Sequence, residues 1–222
     1  MNWKWKKDSI LNNYDENTSC KEIFNATCDE IGEYFIQKGW KYSKSRPKIT
    51  FKNKSIKYEI TFWSSRSNTP GEHVNLEIIP SFYSLDLVKK LKEKEIISRG
   101  YSGFPNFYIL SDEIPKGQEK VIKILGEPVV QESRYNESKG IVIYSRNVNI
   151  YKITETEFLK IIDFIESKMT SWIEWSNDYQ KLVEHFNNSL TYHKKTMIEK
   201  NFQDYLLMKF PDKEKEILEI VM

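Results

Sequence analysis

The segment WSSRSNTPGEH, residues 63–73, holds the densest group of side chains that could do chemistry. Its serines and Arg66 lie close in sequence to His73, a composition that suits a serine nucleophile beside a base. Such a nucleophile needs a sharp, fixed turn and a base that a third group orients, and no Gly-x-Ser-x-Gly pattern occurs here. A recognition loop with Trp63, Arg66 and His73 as candidate partner-binding residues is therefore a better interpretation than a catalytic site. A solvated loop without a partner is the interpretation that we favour.

Metal binding and cofactor binding are not indicated by any spacing in the chain. The histidines are His73, His185 and His193, and neither a His-x-x-x-His nor a Cys-x-x-Cys pattern occurs. Motif-type zinc sites show such spacings. Gly100 and Gly103 surround Tyr-Ser and lack the lysine of a phosphate-binding loop. We therefore predict no metal site and no cofactor, although a site assembled from scattered residues leaves no spacing to detect.

A basic stretch precedes the loop. Between Lys38 and Tyr58 there are seven lysines and one arginine, and the next acidic residue is Glu59. With Trp40 and Tyr42 interleaved, this composition suits phosphate contacts and base stacking. The alternative, which we favour, is that the lysines coat the solvent-facing side of a sheet, since edge strands commonly carry lysine. The candidate basic face consists of Lys41, Lys44, Arg46, Lys48, Lys52, Lys54 and Lys57.

An aromatic series in the C-terminal third suits either a core stripe or a docking surface. Trp172, Trp175 and Tyr179 recur at helical spacing. Trp172 and Tyr179 fall on the predicted core stripe, whereas Trp175 falls near its edge. Tryptophan is enriched among the residues that contribute most to protein interfaces. We therefore keep Trp175 as a candidate exposed anchor for a partner, beside the favoured interpretation that the series packs in the core.

The elements that position these residues begin with an amphipathic helix. Ser19 and Glu22 form a capping-box pattern, apolar residues then recur every four positions up to Phe35, and Gly39 predicts the helix end. Alternation after Lys48 predicts a β-hairpin with an Asn53-Lys54 turn. In that register Phe51 faces Ile56, Ile49 faces Tyr58 and Lys48 faces Glu59.

The remainder of the chain reads as further strands followed by helices. A third strand runs through Val74 and Ile78, with Pro80 near its end or at an edge, and Ser84 is placed to cap a helix. Five short strands follow, near 108–110, 121–125, 129–134, 141–144 and 148–152. A helical period begins at Thr154 and would extend about 50 Å if unbroken to Asn187, with a kink near residues 170–171 as the alternative. Two helices, near 190–209 and 212–222, complete the chain.

Composition limits the class of protein. The 222 residues are 39% hydrophobic and carry a formal net charge of +2, so neither disorder nor a global attraction to nucleic acid is expected. Cys20 and Cys28 lie about 12 Å apart on the predicted helix, too far for a disulfide, which fits a reducing compartment. We find no signal-peptide pattern and no window approaching the ~20 apolar residues of a membrane span. A cytoplasmic protein without membrane contact is expected, with its Trp3 and Trp5 tail either forming a short edge strand or docked on the core.

The expected fold class is α+β, with an antiparallel sheet, an N-terminal helix packed on it and a C-terminal helical region. We expect residues 1–222 to form a single domain. Within it, residues 18–153 supply the first helix and the sheet, and residues 154–222 supply a helical extension. The chain offers no low-complexity linker and no internal repeat that would divide it.

In residues 23–87 a helix ends in KGWKY, two strands follow in SRPKITFKN and KYEITFWSSRS, and a third carries Asn75, Leu76, Glu77 and Ile78. This pattern resembles the bacterial domain-of-unknown-function family 4304 and its relatives. The resemblance implies an α+β fold around an antiparallel sheet and a bacterial cytosolic origin. It supplies no catalytic residues. Some proteins of this kind accompany bacterial toxin systems as immunity-like factors, and the resemblance does not extend beyond about Leu110.

Three classes of function remain open after this reasoning. The first is a non-enzymatic bacterial interaction protein, immunity-like in the form that the resemblance suggests, which binds a protein partner. The second is a nucleic-acid-binding module that uses the basic hairpin of residues 41–57. The third is an enzyme of unrecognised type. We favour the first, and the sequence names neither the partner nor the oligomeric state.

Overall fold

The structure, a computed structural model, describes residues 3–96, 108–110, 118–132, 141–189 and 191–221. Its main feature is a five-stranded antiparallel sheet in the order β1-β2-β3-β4-β9, with helices before and after it in the chain. The predicted α+β class is therefore confirmed. No helix in the described ranges is long and apolar enough to cross a membrane. The strands of this sheet are β1 (Lys41–Ser43), β2 (Lys48–Lys52), β3 (Ile56–Trp63), β4 (Asn75–Ser84) and β9 (Asn147–Asn149).

The hairpin of β2 and β3 forms with a turn one residue later than predicted. Ile49 pairs with Ile60 rather than Tyr58, and Phe51 pairs with Tyr58 rather than Ile56, so the predicted register was wrong by two residues. The Asn53 side chain accepts hydrogen bonds from the backbone N–H groups of Ser55 and Ile56, both at 2.9 Å, which places the turn at Lys54-Ser55. Because a shift of two residues preserves which side chains share a face, the predicted faces are correct.

Pro80 lies inside β4, not at its end. It pairs with Ile60 of β3, so the prediction that it ends the strand was wrong and the edge alternative is correct. The Ile78 N–H, two residues earlier, donates to Arg146 O on the β9 side. The ring nitrogen of Pro80 faces that same side of β4. Because β9 pairs only with residues 75–77, it does not reach Pro80, and the missing N–H costs no hydrogen bond to β9.

The inner face of the sheet packs against α1 (Cys20–Ile36) and the C-terminal helices. The predicted capping box of Ser19 and Glu22 is present at the start of α1. Gly39 has φ +83° after its end, in the left-handed region that glycine adopts without a Cβ penalty. The Tyr58 hydroxyl, fully buried on the inner face, donates to Met169 O at 2.8 Å. Helix α2 (Leu85–Glu93) follows β4 directly and is capped by Ser84, as predicted.

The middle of the chain forms a second, mixed sheet, which the sequence reasoning did not anticipate. Its strands are β5 (Tyr108–Leu110), β6 (Gln118–Ile122), β7 (Val129–Glu132) and β8 (Ile141–Tyr144), in the order β5-β8-β6-β7. β6 and β8 are parallel, and the other pairs are antiparallel. Of the five predicted middle strands, only the last, β9, joins the first sheet. Pairing of this kind is decided by tertiary contacts, because short strands carry almost no register information.

The predicted long helix is interrupted where the kink was placed. Helix α3 (Glu155–Phe164) starts at a capping box of Thr154 and Glu157 and continues as a π-helical segment (Ile165–Met169). The Thr170 N–H bonds back to Ile165 O at 3.0 Å, and α4 (Trp172–Trp175) follows as a separate turn. An unbroken 50 Å helix was therefore wrong. The remaining helices are α5 (Tyr179–Asn188), α6 (Thr191–Glu199), α7 (Phe202–Lys209) and α8 (Glu214–Val221).

The N-terminal tail docks on the core, as predicted. The Trp3 indole N–H donates to Glu30 Oε2 of α1 at 3.0 Å, and the Trp5 backbone N–H donates to Glu155 Oε1 of α3 at 3.1 Å. Both indoles contact Phe158, with ring centroids 6.0 Å and 4.9 Å away. The tail therefore connects α1 to α3.

Candidate interaction surface

The side chains opposite the core form what we call the outer face of the five-stranded sheet. Alternation along the strands and the observed cross-strand pairs determine its members. It mixes basic, hydroxyl-bearing and aromatic residues. The outer face consists of Lys41, Ser43, Lys48, Thr50, Lys52, Lys57, Glu59, Thr61, Trp63, Glu77, Ile79, Ser81 and Tyr83.

Glu59 neutralises two lysines at the centre of this face. Its residue surface is only 9% exposed, and its carboxylate lies 2.7 Å from Lys48 Nζ and 3.5 Å from Lys57 Nζ. Burial by itself raises the pKa of this carboxyl, but the Lys48 hydrogen bond and the two positive charges outweigh it, so the pKa lies below its ordinary value. Lys57 also lies over the Tyr83 ring, 4.2 Å from its centroid. The predicted basic face is thus compensated at its centre.

The other basic residues divide between the two ends of the sheet. Lys44 pairs with Asp29 of α1 at 2.8 Å. Within the described part of the chain, the structure shows no ion pair for four of the candidates. These four are the exposed Lys41, Arg46, Lys52 and Lys54. Of the seven hypothesised basic-face residues, three therefore have acidic partners: that of Lys44 lies on α1, that of Lys48 across the β2–β3 pair, and that of Lys57 two residues along its own strand.

Trp63 is the most exposed aromatic side chain on the described outer face, at 51% of its surface. The Phe62 N–H donates to Pro47 O at 2.9 Å, so backbone pairing with β3 continues one residue before β2, and Arg46 is exposed in the turn that precedes Pro47. On its other side Trp63 pairs with Glu77, whose carboxylate lies 3.7 Å from the Arg146 guanidinium. We call Arg46, Trp63 and Arg66 the Trp63 end of the sheet.

The loop after Trp63 is built by its own polar side chains. Asn68 Nδ2 donates to Ser64 Oγ at 2.7 Å, and the Ser67 N–H donates to Ser65 Oγ at 3.0 Å. Asn68 Oδ1 also accepts from the Asn75 N–H at 2.8 Å, which ties the loop to the start of β4. These serine hydroxyls therefore act as acceptors within the loop, and the loop is held in place by its own side chains. Arg66 is exposed at its tip.

His73 and Trp175 are not brought to the Trp63 end as a cluster. His73 is half-buried, and its backbone pairs with Thr69 in a single bridge. Trp175 is also half-buried and packs on Trp172, 6.4 Å between centroids, among the helices that cover the inner face. The candidate exposed anchor at Trp175 is therefore a partly buried residue of the helical region, and the core interpretation of the aromatic series is the better one.

Two outer-face residues, Ile79 and Tyr83, were missed by the sequence reasoning. The alternation Asn75, Glu77, Ile79, Ser81, Tyr83 was visible, but Pro80 suggested that the strand ended first. Arg146 was missed because it joins the face only through β9. In the described residues no group of three potential metal ligands occurs. Cys20 and Cys28 are free thiols, and burial raises the pKa of Cys28.

We expect Glu59→Gln to lower the free energy of unfolding at pH 7 by about 1–3 kcal/mol, because two lysines lose a charged acceptor. The folded-state pKa of Glu59 is depressed, so its contribution is complete above the ordinary value of 4.5 and is lost as pH falls through the folded value. The destabilisation should therefore be smaller below about pH 4 than at pH 7. Urea unfolding of the wild type and the variant at pH 7 and at a pH below about 4 measures the difference. Glu77→Gln is the matched control, with a loss of about 0.5 kcal/mol or less. A Glu59→Gln effect that is equal at both pH values would contradict the assignment.

Comparison with known proteins adds no constraint on this surface. The resemblance of residues 23–87 to the domain-of-unknown-function family 4304 stays a prediction. The chain matches no protein-family model, no curated protein and no solved structure.

Proposed function

We propose that this chain is a non-enzymatic binding protein that docks on an acidic surface of a partner protein through the Trp63 end of its sheet. The observation that carries the proposal is Trp63 itself, 51% exposed at a strand end, with an exposed Arg46 in the turn that precedes the neighbouring strand β2. An exposed indole is costly to leave in water, and Trp with Arg dominates the binding energy of many interfaces. Arg66, three residues later in a fixed loop, adds a second guanidinium.

Charge favours a protein partner over nucleic acid. A polyanion is best matched by a continuous row of uncompensated cations along one groove. On the outer face Glu59 holds Lys48 and Lys57, and Glu77 lies beside Trp63. Protein interfaces instead combine a central aromatic residue with arginine and a mixed polar rim. The two guanidiniums at the Trp63 end are complementary to carboxylates on the partner.

The family resemblance makes the proposed function more specific. In that form the chain is bacterial and cytosolic, and it acts as an immunity-like factor that covers a functional surface of a toxin. The fixed loop supports it, because a preorganised surface loses less entropy on binding.

The test is affinity capture from the native host lysate with the wild-type chain, Trp63→Ala, Arg46→Glu and the control Lys89→Glu on α2. The control makes the same charge change at an exposed lysine away from the outer face. A captured protein is then purified and titrated against all four chains. We expect Trp63→Ala to cost about 2 kcal/mol or more of binding free energy and Lys89→Glu to change little.

Two outcomes contradict the proposal. One is a partner that binds all four chains equally. The other is retention that disappears on nuclease treatment, which would favour the nucleic-acid-binding alternative, and log Kd would then depend steeply on log salt concentration. Circular dichroism spectra that match the wild type show that each variant is folded.

A further inference from the structure

A cleft of about 410 Å³ lies between α3 with its π-helical continuation and residues 122–124 at the end of β6. It involves no residue of the outer face, so it is a separate site. The side chains that α3 and the π-helical segment contribute recur from Thr156 to Ser167, on a face beside the core stripe of Phe158 and Ile162. A volume of this size is in the range of small-molecule sites, about 300–1,000 Å³.

The cleft is apolar along its walls and basic at its rim. Ile122, Ile124, Leu159 and Phe164 provide the apolar surface. The charged side chains that line it are Lys123, Lys160, Lys168 and Asp163, three cations and one anion. Lys123 and Lys160 are exposed, whereas Phe164 is buried. The cleft therefore offers an apolar surface with a positively charged mouth.

The π-helical segment borders this cleft and supplies Ser167 and Lys168. A π-helical turn in an α-helix costs stability and is found frequently at functional sites. Here the segment is held from the opposite side, because Tyr58 of β3 donates its hydroxyl proton to Met169 O. The widened turn is therefore built into the fold at the position where the helix meets the cleft.

We propose that this cleft binds an aliphatic monocarboxylate, with its hydrocarbon chain on the apolar walls and its carboxylate between Lys123 and Lys160. The four apolar side chains exclude a purely polar ligand, since their burial is the main gain available here. Two exposed lysines, Lys123 and Lys160, outnumber the exposed Asp163 in the cleft lining, which favours a negative head group. Asp163 lies among the same residues and disfavours a highly charged head such as a triphosphate.

The probe is sodium octanoate, titrated into the isotopically labelled full chain and followed by methyl NMR. We expect saturable shifts at the methyl groups of Ile122, Ile124 and Leu159, with those of Ile49 in the sheet core unchanged. Neutral 1-octanol has the same chain without the charge, and acetate has the charge without the chain. Both should bind more weakly than octanoate.

The charge contribution is tested with Lys123→Gln/Lys160→Gln, which should weaken octanoate binding about tenfold. Lys89→Gln/Lys90→Gln on α2 removes the same charge from exposed positions and should leave the affinity unchanged. Absence of saturable shifts at millimolar octanoate, equal binding of 1-octanol, or an unaltered affinity of the cleft variant would overturn the proposal. Trp63→Ala leaves the cleft intact, so the partner-binding proposal and this one can fail separately.

Discussion

Trp172→Ala is expected to lower the free energy of unfolding by about 3–5 kcal/mol, the range for truncating a large aromatic side chain in a packed core. Trp172 is fully buried at 0% exposure. Its ring lies 6.0 Å from Phe82 of β4 and 5.0 Å from His185 of α5, measured between centroids. It therefore joins the inner face of the sheet to the C-terminal helices, and the loss combines lost burial with a cavity that both elements border.

The measurement is urea unfolding followed by circular dichroism, with Trp63→Ala as the matched control. The same substitution at Trp63, which is 51% exposed, removes only part of the buried surface that Trp172 loses and leaves no enclosed cavity, so we expect at most about half of the Trp172 loss. Together the two variants separate the structural tryptophan from the one proposed to bind a partner. Equal destabilisation by both would show that Trp63 is part of the core and would remove the basis for its role as an anchor.

Gly32→Ala is expected to destabilise the chain by about 1–3 kcal/mol, the cost of overpacking a close contact. On helical propensity alone, alanine would stabilise α1 by about 0.5–1 kcal/mol. The expected change in the free energy of unfolding therefore has the opposite sign to the change that helical propensity predicts. A Cβ at position 32 would lie 2.4 Å from Tyr42 Cγ and 2.5 and 2.6 Å from its Cδ atoms. The Tyr42 hydroxyl donates to Asp29 Oδ1 at 2.9 Å, so the ring is held over α1 and cannot simply turn away.

A double-mutant cycle with Tyr42→Ala tests that explanation. Tyr42→Ala by itself should destabilise the chain, because it removes a packed ring and its hydrogen bond. In that background Gly32→Ala should become neutral or stabilising, since the obstructing ring is absent and only helical propensity remains. The coupling free energy from the four unfolding curves gives the size of the clash. Additive effects would mean that the cost at position 32 arises elsewhere.

The hairpin shows which kind of information the sequence carried. The alternation of Ile49, Phe51, Tyr58 and Ile60 determined which side chains are buried together, because the period of two is local. It did not determine the pairing, since two registers that differ by two residues bury the same side chains. The Asn53 side chain decided between them by accepting two backbone N–H groups, a contact that exists only once the turn has closed.

The residues of the candidate surface also fall into two groups: those that the sequence identified and those whose contacts depend on strand pairing. Trp63 and Arg66 were identified from one segment of sequence, and the structure places both as exposed. The predicted register already placed Lys48 opposite Glu59. In the observed register Lys48 pairs with Thr61, and it reaches the Glu59 carboxylate diagonally across the two strands, whereas Lys57 contacts the same carboxylate from two residues away on β3.

The sequence by itself determined the local features of this protein. Both capping boxes, the Ser84 cap and the glycine after α1 are decided by residues within one helical turn of each other, so they could be identified without any tertiary contact. Only the tertiary structure decided that β9 joins the first sheet, that β6 and β8 pair in parallel, and that the helix after Thr154 takes a π turn beside a cleft. The physical reason is that these features are set by contacts between segments far apart in the chain, whose energies outweigh the weak preferences of short strands and helix interiors.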